Sequence, residues 1–154
     1  MKAVETPTAH TPEGGWKGEM PPPILAACTE PLAAGAPDLR GLWKAFAVEI
    51  NGTPSVEPAD HVERIEQCSN RVVITADGVI HDMRADGTLE NGVNDVSGVT
   101  GSAIRVAAIF EDGALVLHPN GVGKSPITVT CHLEGDVLVW KFGPNRVTRM
   151  RRTD

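Results

Sequence analysis

The chain has 154 residues, 41% of them hydrophobic, and a formal net charge of −6 at pH 7. That length favours one domain with a core of ordinary size, and the acidic balance argues against nucleic acid as a partner. No run reaches the roughly 18 apolar residues of a membrane-spanning helix, and with three Trp, three Phe and no Tyr the core must be built from Val, Ile, Leu and Ala.

Residues 1–38 are rich in Pro, Gly, Ala and Thr and contain "PPP". They read as an extended, partly mobile arm with one short helical turn near Ile24–Ala27, pinned by Trp16 and Leu25. "ILAAC", ending at Cys28, looks like a lipoprotein cleavage box. It lacks the basic start and the 7–15 apolar residues a signal peptide needs, because "EMPPP" precedes it. The match is therefore read as accidental and the protein as cytoplasmic. The three cysteines share no metal-type spacing, and their odd number argues against a full disulfide framework. Cys68 and Cys131 fall in predicted strands and read as small buried hydrophobes, with a Cys68–Cys131 bridge left open.

From Leu39 to Asp154 the pattern changes to short apolar or alternating runs with turn signals about every ten residues. Strands are predicted over 40–50, 61–68, 71–76, 79–84, 88–91, 93–97, 103–110, 114–118, 126–133, 137–142 and 145–151. Asp-Gly and Asn-Gly between them favour the positive-φ turns of hairpins. The segment 54–60, "PSVEPAD", is too long and Pro-rich for a tight hairpin, and reads as a loop or a short lid. Tight turns without intervening helices predict an antiparallel meander. Its edges are best removed by closure into an up-and-down β-barrel of about 8–10 strands, with a β-sandwich as the alternative. Barrels of this size can hold one small ligand.

Strand parity sorts the chemical side chains. In "VIHDMR", Val79, His81 and Met83 share one face, and Ile80, Asp82 and Arg84 the other. The face with the apolar companions is preferred as internal, leaving Asp82 and Arg84 as a solvated pair. In "HVERIEQC" both faces are mixed: His61, Glu63, Ile65 and Gln67 on one, Val62, Arg64, Glu66 and Cys68 on the other. Arg105, in the apolar "SAIRVAAIF", is either outward or an anchor for a ligand's polar group. His132 and His118 are further candidates for proton chemistry near pH 7. The four arginines at the C-terminal end read as a solvated last strand. With no His-x-His, HExxH or CxxC, no metal is expected. The absence of Gly-x-Ser-x-Gly disfavours a serine hydrolase. "HPNGVGKS" fails as a phosphate loop because its first Gly position is His118.

The first strand opens with Gly41-Leu42-Trp43, the Gly-x-Trp form, and the chain ends "NRVTRMRR". In these features residues 39–152 resemble the lipocalins and related calycin barrels. The resemblance implies that Trp43 closes one end of the barrel, with Arg149 or Arg151 packed over its indole by cation–π attraction. It fits small bacterial lipocalin-like domains better than secreted members. It implies no haem, because Lys44 and Ala45 follow the Trp where a nitrobindin-type barrel continues Gly-x-Trp-x-Gly.

The expectation is a cytoplasmic barrel without a cofactor that binds a small apolar or aromatic molecule. Trp43, Met83, Arg64, Arg105 and His132 would meet that ligand, and Arg149 would close the end. The alternative is an enzyme on the same scaffold, an isomerase, cyclase or lyase with His81 as base and an Arg or Glu63 stabilising developing charge or shuttling the proton. A structural or interaction protein with a filled lumen is the third reading. No membrane partner is expected, and a homodimer is allowed.

Overall fold

A computed structural model describes residues 1–55, 60–98 and 100–153. After a short 3₁₀ turn at Ala3–Glu5, the chain forms β1 (Gly41–Ile50), β2 (Thr53–Pro54), β3 (Val62–Cys68), β4 (Arg71–Ala76), β5 (Val79–Arg84), β6 (Val93–Val96), β7 (Ala103–Glu111), β8 (Ala114–Pro119), β9 (Val129–Glu134), β10 (Val137–Phe142) and β11 (Arg146–Arg152). Ten of them pair in the order β5-β4-β3-β1-β11-β10-β9-β8-β7-β6, and β2 adds to β1. All these pairs are antiparallel, so the fold is an up-and-down barrel.

The hairpins form where the turn chemistry asks for them. Asn51-Gly52, Asp77-Gly78 and Asp112-Gly113 each hold two consecutive positive φ angles, the backbone of a tight I′ turn. The Asp-Gly and Asn-Gly pairs of "ADGTLENG" do otherwise. No strand spans 88–91: Asp86 accepts hydrogen bonds from the N–H and Oγ1 of Thr88 and from Nδ2 of Asn91, which folds the segment into a loop. There Gly92 approaches β7 so closely that a Cβ would lie 1.8 Å from the Val106 carbonyl oxygen. The two-residue β2 was not predicted. Of the segment read as a lid, Val56 to Ala59 lie outside the described residues.

Closure is nearly complete. Between β5 and β6 the ladder is replaced by isolated contacts: the Arg84 N–H donates to the Asn91 carbonyl at 2.7 Å, and His81 Nε2 lies 2.8 Å from the Val96 carbonyl. One end is plugged. Trp43 is fully buried, donates from Nε1 to the Leu39 carbonyl at 2.9 Å, and carries a guanidinium 4.4 Å from its ring centre. That guanidinium belongs to Arg152, which corrects the expectation for Arg149 and Arg151. The reason is parity: Trp43 pairs directly with Arg152, while Arg149 and Arg151 point outward, to Glu49 at 2.7 Å and over Phe46 at 3.8 Å. Gly41 (φ 149°) leaves room for the Arg152 side chain, whose Nε lies 3.1 Å from where a Cβ would sit.

The arm packs on the outer faces of β3, β4 and β5, forming a second core of Ala3, Leu25, Cys68, Val73 and Ile80. Burying each large aliphatic chain is worth about 1.5–3 kcal/mol. Trp16 donates from Nε1 to the Val79 carbonyl at 2.9 Å. Asp82 and Arg84 are not a solvated pair: Asp82 is buried against Arg71, whose guanidinium also donates to the carbonyls of Ala3 (2.9 Å) and Thr6 (2.5 Å). The disulfide joins Cys28 to Cys68, not Cys68 to Cys131, and Cys131 is a buried free thiol. Cys68 shares the outer face with Arg71, whereas Cys131 lies in the barrel core, so the sheet separates them.

Candidate functional site

The inner faces converge on a cavity of about 630 Å³ between the Trp43 plug and the opposite, open end. Its walls come mainly from alternate residues of the strands. Ile74, Met83, Val106, Leu117, Val129 and Met150 make an apolar surface. Trp140 and Phe142, stacked with centroids 5.8 Å apart, form one side. The polar groups gather toward the open end: His61, Asp77, Arg146 and Thr148, with Glu63 deeper.

Glu63 is the unusual member. It is 4% exposed, and most of the residues that line the cavity with it are apolar. Trp140 Nε1 donates to its Oε1 at 2.5 Å, and among the described residues no other hydrogen bond reaches it. Burial pushes the Glu63 carboxyl up to about 7, against the smaller opposing pull of His61 and the Trp140 bond. Burial, and then Glu63 itself, also raise the Cys131 thiol well above its ordinary value.

His61 and Asp77 form a pair at the rim. His61 Nδ1 lies 3.1 Å from Asp77 Oδ1, and this bond raises the imidazole while it lowers the carboxyl. Asp77 occupies the first position of the I′ turn joining β4 to β5, so the hairpin residue also orients an imidazole. The pair escapes sequence reading because His61 and Asp77 lie 16 residues apart. Parity gives the one signal for Glu63, since Ile65 on the same face is apolar.

The residues singled out by sequence separate into two groups. Glu63, His81 and Met83 line the cavity, and His81 also spans the seam through Val96. Trp43 lies beneath the cavity floor. Arg64, Arg105 and His132 do not reach the lumen, because each has outward parity. Arg64 sits on the arm side near Glu66, with Nε and Oε2 3.6 Å apart. Arg105 Nε donates to Asn94 at 3.1 Å, and His132 Nε2 lies 2.9 Å from Glu134. The one grouping of metal-type ligands among the described residues is Cys28, Glu30 and Cys68. Its two thiols are joined as a disulfide, and Glu30 accepts the Ala3 N–H at 2.5 Å.

The fold is a nearly closed, lipocalin-like up-and-down barrel around this cavity. Among solved structures, human cRBP IV matches with a TM-score of 0.53, covering 75% of this chain and 98% of that one at 16% sequence identity. At that identity the likeness is one of fold. No protein-family model matches the chain, and no curated protein matches it.

Proposed function

We propose that the protein binds a small, largely apolar molecule in the barrel lumen, with the ligand's polar group toward Glu63, His61 and Asp77. The supporting observation is the 630 Å³ cavity, whose wall is largely apolar apart from that end and His81. The fold likeness to human cRBP IV, a cellular retinol-binding protein, agrees with a lumen ligand in general terms. Pockets of this size with a few convergent polar groups are the usual form of small-molecule sites. Titration with the neutral apolar dye Nile red tests the reading. Saturable fluorescence gain at one dye per chain is expected, with loss of that gain in Leu117→Trp, a lumen-filling variant whose fold is checked by circular dichroism. Equal dye response in a folded Leu117→Trp would contradict it.

A second reading, proton transfer on the bound molecule, draws support from the His61–Asp77 pair beside a carboxyl that titrates near neutrality. In this reading His61 replaces His81 as the base, since His81 Nε2 is engaged by the Val96 carbonyl. Mass spectrometry of a metabolite extract incubated with the protein separates the two: a compound consumed by the protein but spared by His61→Gln supports turnover, and one bound unchanged supports binding alone.

Among the described residues no helix is long and apolar enough to cross a membrane. For the compartment, the Cys28–Cys68 bridge weighs against the cytoplasmic expectation, because structural disulfides persist mainly in oxidising surroundings.

A further inference from the structure

Glu63 is a carboxylate held inside a largely apolar lumen with no Arg or Lys ion pair among the described residues, His61 being its one opposing charge. The charged and titratable groups that share its cavity are few. His61 sits two residues away on the same strand face, about 7 Å along the strand, and its Nδ1 is committed to Asp77. Arg146, on β11, lines the cavity and pairs across the sheet with Ile50 and Phe142, at the open end. His81, on β5, is engaged by Val96, and Cys131, on β9, is a neutral buried thiol. Lys141, on β10, belongs to the outer surface with His132. Among the described residues, the hydrogen bond to the carboxylate comes from an indole N–H, which is neutral.

A carboxylate in such surroundings lacks the compensation that buried charges require. A ligand can supply what the protein does not. We infer that the lumen selects an amphiphilic amine: an apolar body against Ile74, Met83 and Met150, and an ammonium group donating to Glu63. This rests on the lumen being a ligand site. A carboxylate head would meet Glu63 as a like charge. A hydroxyl would satisfy one acceptor without cancelling charge. An ammonium does both, and its desolvation is offset by a partner already stripped of water by the fold.

Three eight-carbon probes differing only in the head group test the inference: 1-octylamine, 1-octanol and octanoate, titrated by calorimetry between pH 5.5 and 8. At pH 8 octylamine is expected to bind at least tenfold more tightly than octanoate, with octanol between. Below pH 7 its affinity falls by up to tenfold per unit, because binding must expel the Glu63 proton, and one proton per amine is released. Glu63→Gln should lower amine affinity to that of octanol and abolish the proton release. His132→Gln, on the outer surface beside Glu134, should keep both, which ties the effect to the lumen carboxylate. Octanoate binding as tightly as the amine, or an amine affinity indifferent to Glu63→Gln, would overturn the inference while leaving the lumen as a binding site. If none of the three binds, the lumen-binding reading falls with it. The comparison of heads on the unaltered protein stands even where Glu63→Gln fails to fold.

Discussion

Strands β3, β4 and β5 bury one carboxylate on each side of the same sheet, and the two are treated in opposite ways. On the outer face Asp82 is clamped by Arg71, receives the Ala9 N–H at 2.9 Å, and lies sealed under the arm. On the inner face Glu63 has a single indole and open space. The outer arrangement completes its own hydrogen bonding and so fixes structure. The inner arrangement leaves acceptor capacity turned toward a cavity. A buried polar group with all its partners is part of the scaffold; one with too few is a place for something else to bind.

The comparison can be broken most forcefully from the outside. Arg71→Ala strands Asp82 without its cation and removes the donor to three arm carbonyls, those of Ala3, Thr6 and Pro7. A loss of about 3–5 kcal/mol is expected in urea unfolding, the scale for breaking a buried pair, together with faster proteolysis of the arm. Next comes the disulfide, which closes a loop of 40 residues. Cys28→Ser should cost up to about 4 kcal/mol on chain-entropy grounds. It should leave the lumen's dye binding intact, because the bridge lies on the far side of the sheet.

The inner carboxylate should show the opposite sign. Its folded pKa of about 7 lies above the ordinary 4.5, so between these values the folded state holds the proton more tightly than the unfolded chain. Stability is therefore expected to fall as pH rises from 4.5 to 7 and to level off above, by about 3 kcal/mol in all. Glu63→Gln keeps an acceptor for Trp140 and removes the titration. Its melting temperature should exceed the parent's at pH 8 and match it near pH 4.5. A smaller effect is expected at the seam. His81→Ala removes one of the contacts across the seam between β5 and β6, and should cost about 1 kcal/mol with faster amide exchange along β6. The smallest belongs to the rim. The His61 imidazole is raised by Asp77, so the pair's contribution is present below the ordinary value of 6.5 and disappears as pH rises through the folded value. Asp77→Asn should cost under about 1 kcal/mol at pH 6 and nothing at pH 9.

Alternation along "VIHDMR" parts His81 from Asp82 and Arg84 before any coordinates are known, and the Asp-Gly and Asn-Gly turns already point to the meander. The same alternation cannot say what covers each face. Asp82 reads as solvated because the residues that bury it come from an arm more than 70 positions earlier. Cys28 finds Cys68 for the same reason. Arg152 rather than Arg149 meets Trp43 because the pairing register between the first and last strands is a long-range property. Two of the "ADGTLENG" turn signals serve a loop, since Asp86 offers its carboxylate to the local backbone and side chains instead of a hairpin. Glu63 was visible as a candidate; its isolation from cations was not, because Arg64, the nearest basic residue in sequence, points to the other side.

Methyl-resolved NMR of the protein titrated with 1-octanol tests the central claim most directly. Saturable shifts at Ile74, Met83, Leu117 and Met150, with Leu25 and Ile80 under the arm unmoved, are the expected result. Shifts confined to surface methyls such as Val122 and Ile127, or shifts that grow without saturation, would contradict it.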